Sequence, residues 1–395
     1  MTLRNFFLVS SFLCAFGATA GETPVFPLMA WDYASDEATL QSMHDCGINV
    51  IAFARTNMLE ACARHGIGAI VYDDSVVGGR DGIFDGDHAR TNLPALIARV
   101  NNLPAVYGYH IKDEPDPREF PELAKAVAVV KQLAPGKWPY INLLPDVGGS
   151  YDKILDDFVA TCSPTALSYD RYCVVDSGFD TAFWGNLFEM RAAAVRHQLP
   201  FWNIVLTSPH WYFRELTPAD IRLQIWGSLA YGASGLSFYK FVSRELSEIK
   251  AFDLGNFRDG PLDQFGEKTP TWDWLHNSLR QVQNIAPFYL KLHSDDVYHF
   301  GPLPPHNHGP SETTLVKSLP DGEWVVGDFT HEDGSRWVMI VNRSLSHSRP
   351  CTPEFNIKPS SVEYVSPITG ELKPYFMEYY WLAPGQAVLL KLTLK

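Results

Sequence analysis

The sequence lacks an excess of positive charge, long apolar segments beyond its first twenty residues, and the usual metal and cofactor motifs. Its 32 Lys and Arg residues stand against 45 Asp and Glu residues, a net charge of -13, which disfavours nucleic acid and anionic membrane surfaces as partners. No later run reaches the ~18 apolar residues of a membrane-spanning helix. No CxxC pair occurs. After the first predicted strand the chain reads Trp31-Asp32-Tyr33, whereas a metal-dependent barrel hydrolase would have His-x-His there and a doubly wound nucleotide-binding sheet a glycine-rich turn. We therefore predict no membrane insertion, no metal and no cofactor.

Cysteine is also scarce and widely scattered. If Cys14 is removed with the first twenty residues, five remain, which are Cys46, Cys62, Cys162, Cys173 and Cys351. An odd number without regular spacing does not make a disulfide framework, so we expect buried small hydrophobic side chains. An oxidising compartment would permit one bridge, such as Cys162–Cys173.

The first twenty residues have the composition of a targeting segment. They combine Arg4, an apolar stretch over residues 6–16, and Ala18-Thr19-Ala20 before Gly21. A basic start, a short apolar core and a small-residue cleavage site are typical of a secretory signal peptide. We predict a signal peptide over residues 1–20 and a secreted or periplasmic protein.

Residues 25–292 repeat a strand-then-helix pattern. Apolar, β-branched runs alternate with amphipathic stretches, as in βα units that build a parallel sheet. Strands are predicted at residues 25–32, 48–54, 67–73, 106–113, 138–144, 166–172, 201–207 and 235–241. Helices are predicted at residues 36–46, 93–101, 120–133, 151–162, 183–197, 218–231 and 272–286. Eight strands with following helices in ~250 residues predict an α/β chain with a (β/α)8 TIM barrel over residues 21–294.

The pattern changes after residue 294. Prolines interrupt residues 302–310, and short alternating strands follow at 314–318, 323–330, 336–342, 362–365 and 387–394. Turn pairs such as Asp321-Gly322 and Thr369-Gly370 separate them. We predict a small antiparallel β-sandwich domain over residues 295–395.

The strand predicted at residues 106–113 ends in an acidic pair followed by Pro115. Proline cannot continue the ladder, so Asp113 and Glu114 fall where strand becomes loop, the edge at which barrel enzymes carry catalytic groups. We predict Glu114 as a proton donor. The alternative is that both carboxylates cap the helix after Pro117. Lys112 would weaken the donor role if it pointed at Glu114, because it would favour the ionised form.

The ends of the eight strands bring acidic and aromatic side chains to one mouth. Sugars present apolar C–H faces and hydroxyls, so a carbohydrate site needs aromatic platforms and hydrogen-bonding carboxylates and amides. The predicted substrate-binding residues are Trp31, Asp32, Arg55, Asp73, His110, Asp113, Asn142, Tyr172, His210, Trp211, Tyr239 and Lys240. We expect the two histidines to form hydrogen bonds or core contacts, and Lys240 to pair with a strand-end acid.

Short stretches carry a family resemblance. A Glu-Pro at the end of strand four, on a secreted barrel with a C-terminal sandwich, resembles the Asn-Glu-Pro motif of clan A glycoside hydrolases. Residues 226–241 are similar to the seventh helix and eighth strand of beta-galactosidase-like members, and residues 341–343 and 383–385 to their small sandwich domain. The resemblance implies that Glu114 is the general acid/base and that Asp113 replaces the Asn that binds the sugar 2-hydroxyl.

The chain departs from that family at strand seven, where the family carries its nucleophilic Glu. Residues 201–213 contain no carboxylate, although glycoside hydrolysis normally needs two carboxyl groups. We place the second at Asp170, at the end of strand six, whose alternative role is an ion pair with a loop Arg. Asp113 is the other option, because an adjacent Asp-Glu pair resembles hexosaminidases that use the substrate's acetamido group, although neighbours on a strand point to opposite faces. Further options are Glu215, Asp73 and Asp74.

The sequence therefore predicts a secreted glycoside hydrolase that cleaves O-glycosidic bonds of a poly- or oligosaccharide through Glu114 and Asp170. The alternative is a catalytically inactive carbohydrate-binding barrel, which the missing strand-seven Glu favours. The expected partner is a carbohydrate and not a nucleic acid, and the sequence implies no particular oligomeric state.

Overall fold

A computed structural model of the chain describes residues 25–78, 82–146, 148–243 and 256–394. The predicted signal peptide at residues 1–20 lies outside these ranges. Among the helices within them, none combines the length and the apolar character needed to cross a bilayer.

Eight parallel strands form one sheet that curls into a barrel. The strands are β1 Leu28–Ala30, β2 Val50–Ala54, β3 Gly68–Val71, β4 Val106–Asp113, β5 Trp138–Asn142, β6 Leu167–Asp170, β7 Phe201–Leu206 and β8 Gly235–Tyr239. Their order is β5-β4-β3-β2-β1-β8-β7-β6. The two ends of this order meet at a parallel bridge between Leu143 and Tyr169, where the Leu143 N–H donates to the Ser168 carbonyl at 2.8 Å. The predicted (β/α)8 barrel is confirmed, and every observed strand lies within its predicted run.

The barrel strands are buried on both faces. All residues of β2, β5 and β7 are buried, as expected for a parallel sheet enclosed by helices. Trp138 of β5 and Trp202 of β7 meet at 4.7 Å between ring centroids, and because these strands are not neighbours the contact crosses the interior. A Cβ at Gly235 would lie 2.2 Å from the Trp202 ring, so only glycine leaves room for this indole.

Helices follow the strands and enclose the barrel. They are α1 Glu37–Cys46, α2 Leu59–Arg64, α3 Asp74–Val77, α4 Gly86–Val100, α5 Phe120–Leu133, α6 Tyr151–Cys162, α7 Ala182–His197, α8 Pro218–Ala230 and α9 Pro270–Tyr289. Side chains cap several of them, as at α1, where Asp36 accepts the Thr39 N–H at 2.7 Å. Helix α4 begins before the predicted residue 93, because Asp85 caps its first turn and accepts the amides of Asp87 and His88.

The C-terminal region is antiparallel, which confirms the predicted β-sandwich. Its strands are β9 Leu292–Phe300, β10 Val316–Ser318, β11 Trp324–His331, β12 Arg336–Asn342, β13 Arg349–Pro350, β14 Glu354–Phe355, β15 Ser361–Val365, β16 Leu372–Pro374, β17 Trp381–Leu382 and β18 Ala387–Thr393. Six of them form one sheet in the order β9-β11-β12-β18-β15-β16, and β10–β14 and β13–β17 form two small pairs.

This region packs directly on the barrel through helix α8. A Cβ at Gly327 would lie 2.1 Å from the Ala230 carbonyl oxygen, and one at Gly385 would lie 2.4 Å from that of Ala219. Both ends of α8 therefore touch the sheet region, and one apolar core runs through barrel and sheet. Strand β9 spans the predicted junction at residue 294, and the domain boundaries stay a prediction.

The cysteines after residue 24 are buried and free. All five carry unbridged thiols, so the Cys162–Cys173 bridge is not formed. The Cys162 thiol contacts the Phe120 carbonyl at 3.3 Å, and burial raises its pKa to about 12. These side chains act as small hydrophobic groups, as predicted.

We expect the start of α8 to depend on the fully buried carboxylate of Asp220. It accepts two hydrogen bonds from Arg214, at 2.8 and 2.9 Å, and further bonds from the amide and hydroxyl of Thr217. Asp220→Ala would leave a partly buried guanidinium without its partner, which should lower the free energy of unfolding by roughly 3 kcal/mol. Urea denaturation measures this, with Asp176→Ala at an exposed carboxylate as the control. Equal midpoints for the two variants would contradict the assignment.

Candidate functional site

The end of β4 is shaped by a bulge and a left-handed residue. The β4–β5 register shifts between His110 and Lys112, and Glu114 has φ 46°, a conformation that costs about 1 kcal/mol or more for a residue other than glycine. The Glu114 N–H donates to the Asn142 carbonyl at 2.8 Å. Strand alternation has therefore ended before Glu114, so that Asp113 and Glu114 are not held to opposite faces.

The alternative role of this acidic pair as a helix cap is wrong. Asp116 accepts the Arg118 N–H, and Glu119 completes the capping box by accepting the Asp116 N–H at 2.7 Å. Asp113 is half-buried and Glu114 is exposed. The cap of this helix is therefore formed by Asp116 and Glu119 and not by Asp113 and Glu114.

Asn142 joins the ends of β4 and β6. Its buried side-chain amide donates to Asp113 Oδ1 at 3.2 Å and to Asp170 Oδ1 at 2.8 Å. Because both bonds share one nitrogen, the two carboxylate oxygens lie no farther apart than these distances added together, about 6 Å.

Two further buried side chains fix the orientation of this amide. Ser168 Oγ donates to Asn142 Oδ1 at 3.0 Å, and the Tyr140 hydroxyl contacts Ser168 Oγ at 2.7 Å. Since the serine proton goes to Asn142, the tyrosine must donate to the serine. The Asn142 NH2 group therefore faces the carboxyl groups.

Asp170 is buried and surrounded by negative charge. Burial raises its pKa well above the ordinary value, the charges of Glu114 and Asp113 raise it further, and the Asn142 hydrogen bond opposes them. Within the described ranges no basic side chain forms an ion pair with Asp170, and Arg171 instead binds Asp180 at 2.8 Å. The alternative of an ion pair with a loop Arg is wrong, and Asp170 retains its proton to higher pH than an ordinary aspartate.

A cavity of about 170 Å³ opens beside these groups. Its lining includes Trp31, Asp32, Tyr33, Phe53, Tyr72, His110, Lys112, Asp113, Tyr239 and Lys240. Lys240 Nζ lies 3.4 Å from Asp32 Oδ1, the salt bridge predicted for it, and Lys112 Nζ donates to the Gly82 carbonyl at 2.9 Å. Asp113 connects this cavity to Asn142 and Asp170.

Aromatic rings form the walls of the cavity. His110 is buried and lies 4.9 Å from Phe53, 5.2 Å from Tyr72 and 5.9 Å from Trp31 between ring centroids. On the other side Tyr239 stacks on Tyr172 at 5.5 Å. These rings offer apolar faces on which a sugar can stack.

His210 and Trp211 extend the aromatic wall beyond Tyr239. The His210 ring lies 5.3 Å from Tyr239, and its Nδ1 contacts the Ser208 carbonyl at 2.9 Å, so Nδ1 carries the proton. Trp211 is 55% exposed. Tyr172, His210 and Trp211 thus continue the mouth outside the cavity, without forming its lining.

Other predicted residues have structural partners. Arg55 binds Asp74 through two hydrogen bonds of 2.8 and 3.3 Å, and Asp73 caps α3 by accepting the Ser75 N–H at 3.1 Å. Glu215 is largely exposed and pairs with Arg258 at 2.9 Å. Of the candidate second carboxyls, Asp113 and Asp170 are the two that share the Asn142 amide.

The prediction missed Phe53, Tyr140 and Ser168. Each stands two residues before a predicted site residue at the end of the same strand or just after it, namely Arg55, Asn142 and Asp170. Side chains two apart share a face of a strand, so this spacing was the signal that could have found them.

The end of β7 carries no carboxylate in residues 201–213, as the sequence indicated. Thr207 and Ser208 are buried there, and their amides donate to the Tyr239 carbonyl at 2.7 and 3.1 Å. These residues tie β7 to β8 and supply no carboxylate.

Comparison with known proteins bears on the fold. No family model and no curated protein matches the sequence. A family 5 glycoside hydrolase from Bacteroides vulgatus ATCC 8482 aligns with a TM-score of 0.61 at 12% identity, over 94% of this chain and 90% of that one. A family 5 protein from Streptomyces cattleya, solved with GlcNAc, aligns with a TM-score of 0.53 at 12% identity, over 65% and 80%.

A beta-galactosidase from the psychrophilic Marinomonas ef1 is a third neighbour. It aligns with a TM-score of 0.50 at 10% identity. The alignment covers 66% of this chain and 60% of the beta-galactosidase. These likenesses confirm the resemblance to glycoside hydrolase barrels at the level of the fold.

We expect the buried carboxyl of Asp170 to make stability fall with rising pH. Its folded pKa is raised, so its contribution is fully present below the unfolded pKa of ~3.9 and is lost as the pH rises through the folded pKa. Asp170→Asn removes this loss, and the variant should become increasingly more stable than the parent as the pH rises. Urea midpoints across this range measure the difference.

The matched control is Asp36→Asn, which keeps a helix cap. The Thr39 N–H lowers the pKa of Asp36. The parent protein should therefore become more stable than Asp36→Asn as the pH rises through the range in which carboxyl groups titrate. Identical pH dependence in the parent and in Asp170→Asn would show that the folded pKa of Asp170 is not raised.

Proposed function

We propose that the chain is a secreted glycoside hydrolase that acts on a poly- or oligosaccharide, with Glu114 and Asp170 as its catalytic carboxyls. The observation that carries this proposal is the convergence of Asp113, Glu114 and Asp170 on the mouth of a glycoside hydrolase barrel. Asn142 bonds two of them, and the charges of Glu114 and Asp113 both raise the pKa of Asp170. Acid-base cleavage of a glycoside needs such a coupled pair of carboxyls.

The pair works with one proton. In the free protein Asp170 holds it, because burial and neighbouring negative charge penalise its ionised form. Glu114 is exposed and is the member that a sugar can cover. Covering it removes water and raises its proton affinity, so that the proton passes from Asp170 to Glu114, which donates it to the glycosidic oxygen as the C–O bond breaks. The carboxylate left at Asp170 stabilises positive charge on the sugar ring, and the water molecule that adds to the ring returns a proton to the pair.

The mouth suits a carbohydrate. The cavity presents aromatic faces together with the charged groups of Asp32, Asp113 and Lys240, which can bind ring C–H faces and hydroxyls respectively. The exposed indole of Trp211 extends the aromatic surface for a second sugar unit.

A variant of the same chemistry uses Asp113. Asp113 is held by Asn142 and precedes Glu114, so it is placed to steady an acetamido group while Glu114 acts as the acid. The Streptomyces cattleya neighbour was solved with GlcNAc, which makes N-acetylglucosaminides suitable test substrates beside galactosides.

The second candidate function is carbohydrate binding without catalysis. It is favoured by the end of β7, where Thr207 and Ser208 bond to β8 and residues 201–213 contain no carboxylate. Secretion is supported by the residue pattern of positions 1–20.

We expect Glu114→Gln to separate the two functions. Gln keeps the shape and cannot donate the proton, so kcat on aryl β-galactosides or aryl β-N-acetylglucosaminides should fall by roughly 10²–10⁴, with sugar binding by calorimetry retained. Glu215→Gln, at an exposed carboxylate outside the shared site, is the matched control. A parent protein that binds these sugars and turns over neither would establish the binding function instead.

We expect two neighbours of Asp170 to move the pH profile in opposite directions. The Asn142 hydrogen bond lowers the pKa of Asp170 and the charge of Asp113 raises it. The last proton of the pair leaves from Asp170, so the alkaline limb of kcat/KM should shift upward in Asn142→Ala and downward in Asp113→Asn.

The control for this experiment is Asn277→Ala, an exposed amide on α9. It should leave the alkaline limb in place. Shifts of the same sign in Asn142→Ala and Asp113→Asn would exclude Asp170 as the group that sets this limb.

A further inference from the structure

A second, larger hollow lies between the barrel and the antiparallel sheets. This interdomain cleft of about 400 Å³ is lined by residues of α7, α8 and the sheet region, including Trp184, Glu323, Arg343, Ser346 and Arg349. It shares no lining residue with the cavity at the barrel mouth. Its volume and its position between two domains are typical of small-molecule sites.

The cleft carries positive charge in a strongly acidic chain. Arg343 is buried, and its guanidinium lies over the Trp184 ring at 5.5 Å. Its Nη1 bonds His299 Nδ1 at 2.9 Å. Burial and the charge of Arg343 lower the pKa of His299 to about 2, so this histidine is neutral and adds no charge of its own.

One carboxylate offsets two guanidinium groups. Glu323 Oε2 lies 3.6 Å from Arg343 Nη2, beyond hydrogen-bonding distance, and its side chain is half exposed. Arg349 uses Nη1 to bind the Asp321 carbonyl at 2.8 Å. Among the described lining residues, Glu323 is the single acidic side chain beside Arg343, Arg349 and His347, so the guanidinium groups exceed the carboxylates by one positive charge.

This arrangement selects a particular chemistry. A guanidinium fork recognises planar oxyanions, and a net charge near +1 matches a carboxylate better than a phosphate, which carries −1.5 to −2. Ser344 and Ser346 supply hydroxyls, Phe179 supplies apolar surface, and the buried Trp184 ring backs the Arg343 guanidinium. We propose that the interdomain cleft binds the carboxylate of a sugar acid, with Arg343 and Arg349 as the oxyanion ligands.

The test is calorimetric titration of the full chain with glucuronate, and with glucose and inorganic phosphate as comparison ligands. Glucuronate should bind at least roughly tenfold more tightly than either. Arg349→Gln should weaken glucuronate binding by roughly tenfold or more. Glu323→Gln removes the competing carboxylate and should tighten it several-fold.

Arg336→Gln is the matched control, because it removes the same charge from a guanidinium that pairs with Asp295 outside the cleft. It should leave the affinity for glucuronate unchanged. Arg349 and Glu323 are chosen because both reach solvent, whereas replacing the buried Arg343 could prevent folding.

Several outcomes overturn the proposal. They are absence of glucuronate binding, tighter binding of phosphate or glucose, weaker binding in Glu323→Gln, and an unchanged affinity in Arg349→Gln. The last would place the sugar acid elsewhere, for example at the barrel mouth. The proposal does not depend on the proposed glycosidase activity, since no catalytic step enters the measurement.

Discussion

The hydrogen bonds of one buried amide, that of Asn142, connect the folding of this barrel to its candidate chemistry. Strands β5 and β6 close the barrel through a single backbone bridge. A chain of side chains strengthens that joint, running from Tyr140 through Ser168 to Asn142 and Asp170. Every polar atom in a buried chain of this kind needs a partner. The same bonds that satisfy the joint also present a donor to two carboxyl groups.

Solvent access divides the roles of the three carboxyl groups. Asp170 is buried, Asp113 is half-buried and Glu114 reaches water, although Asp113 and Glu114 are neighbours in the chain. Because burial penalises charge, the proton resides at the deepest of the three. In the interdomain cleft the buried group is cationic, because Arg343 keeps its positive charge and His299 beside it is neutral. The two hollows therefore suit ligands of different charge.

Local sequence signals were sufficient for much of the fold. Runs of β-branched and aromatic residues located all eight strands, and amphipathic stretches located helices such as α1 and α8. They failed at α4, where residues before 93 look polar and Asp85 supplies an unrecognised cap. Among site residues, strand ends identified Asp113, Asn142 and Asp170. Tyr140 and Ser168 were missed because they lie deeper in the barrel, two residues before the strand-end positions Asn142 and Asp170.

By itself the sequence determined the barrel, the sandwich and the set of acids at the strand ends, because these follow from short-range periodicity and from parallel topology. Which of these acids lie close together depends on contacts between distant strands, such as the Asn142 amide shared by Asp113 and Asp170. A bulge and a left-handed Glu114 release the acidic pair from strand alternation. Asp73, Asp74 and Glu215 meanwhile find local partners. Proton affinity depends on burial and on charges brought close from distant strands, and no local pattern encodes either.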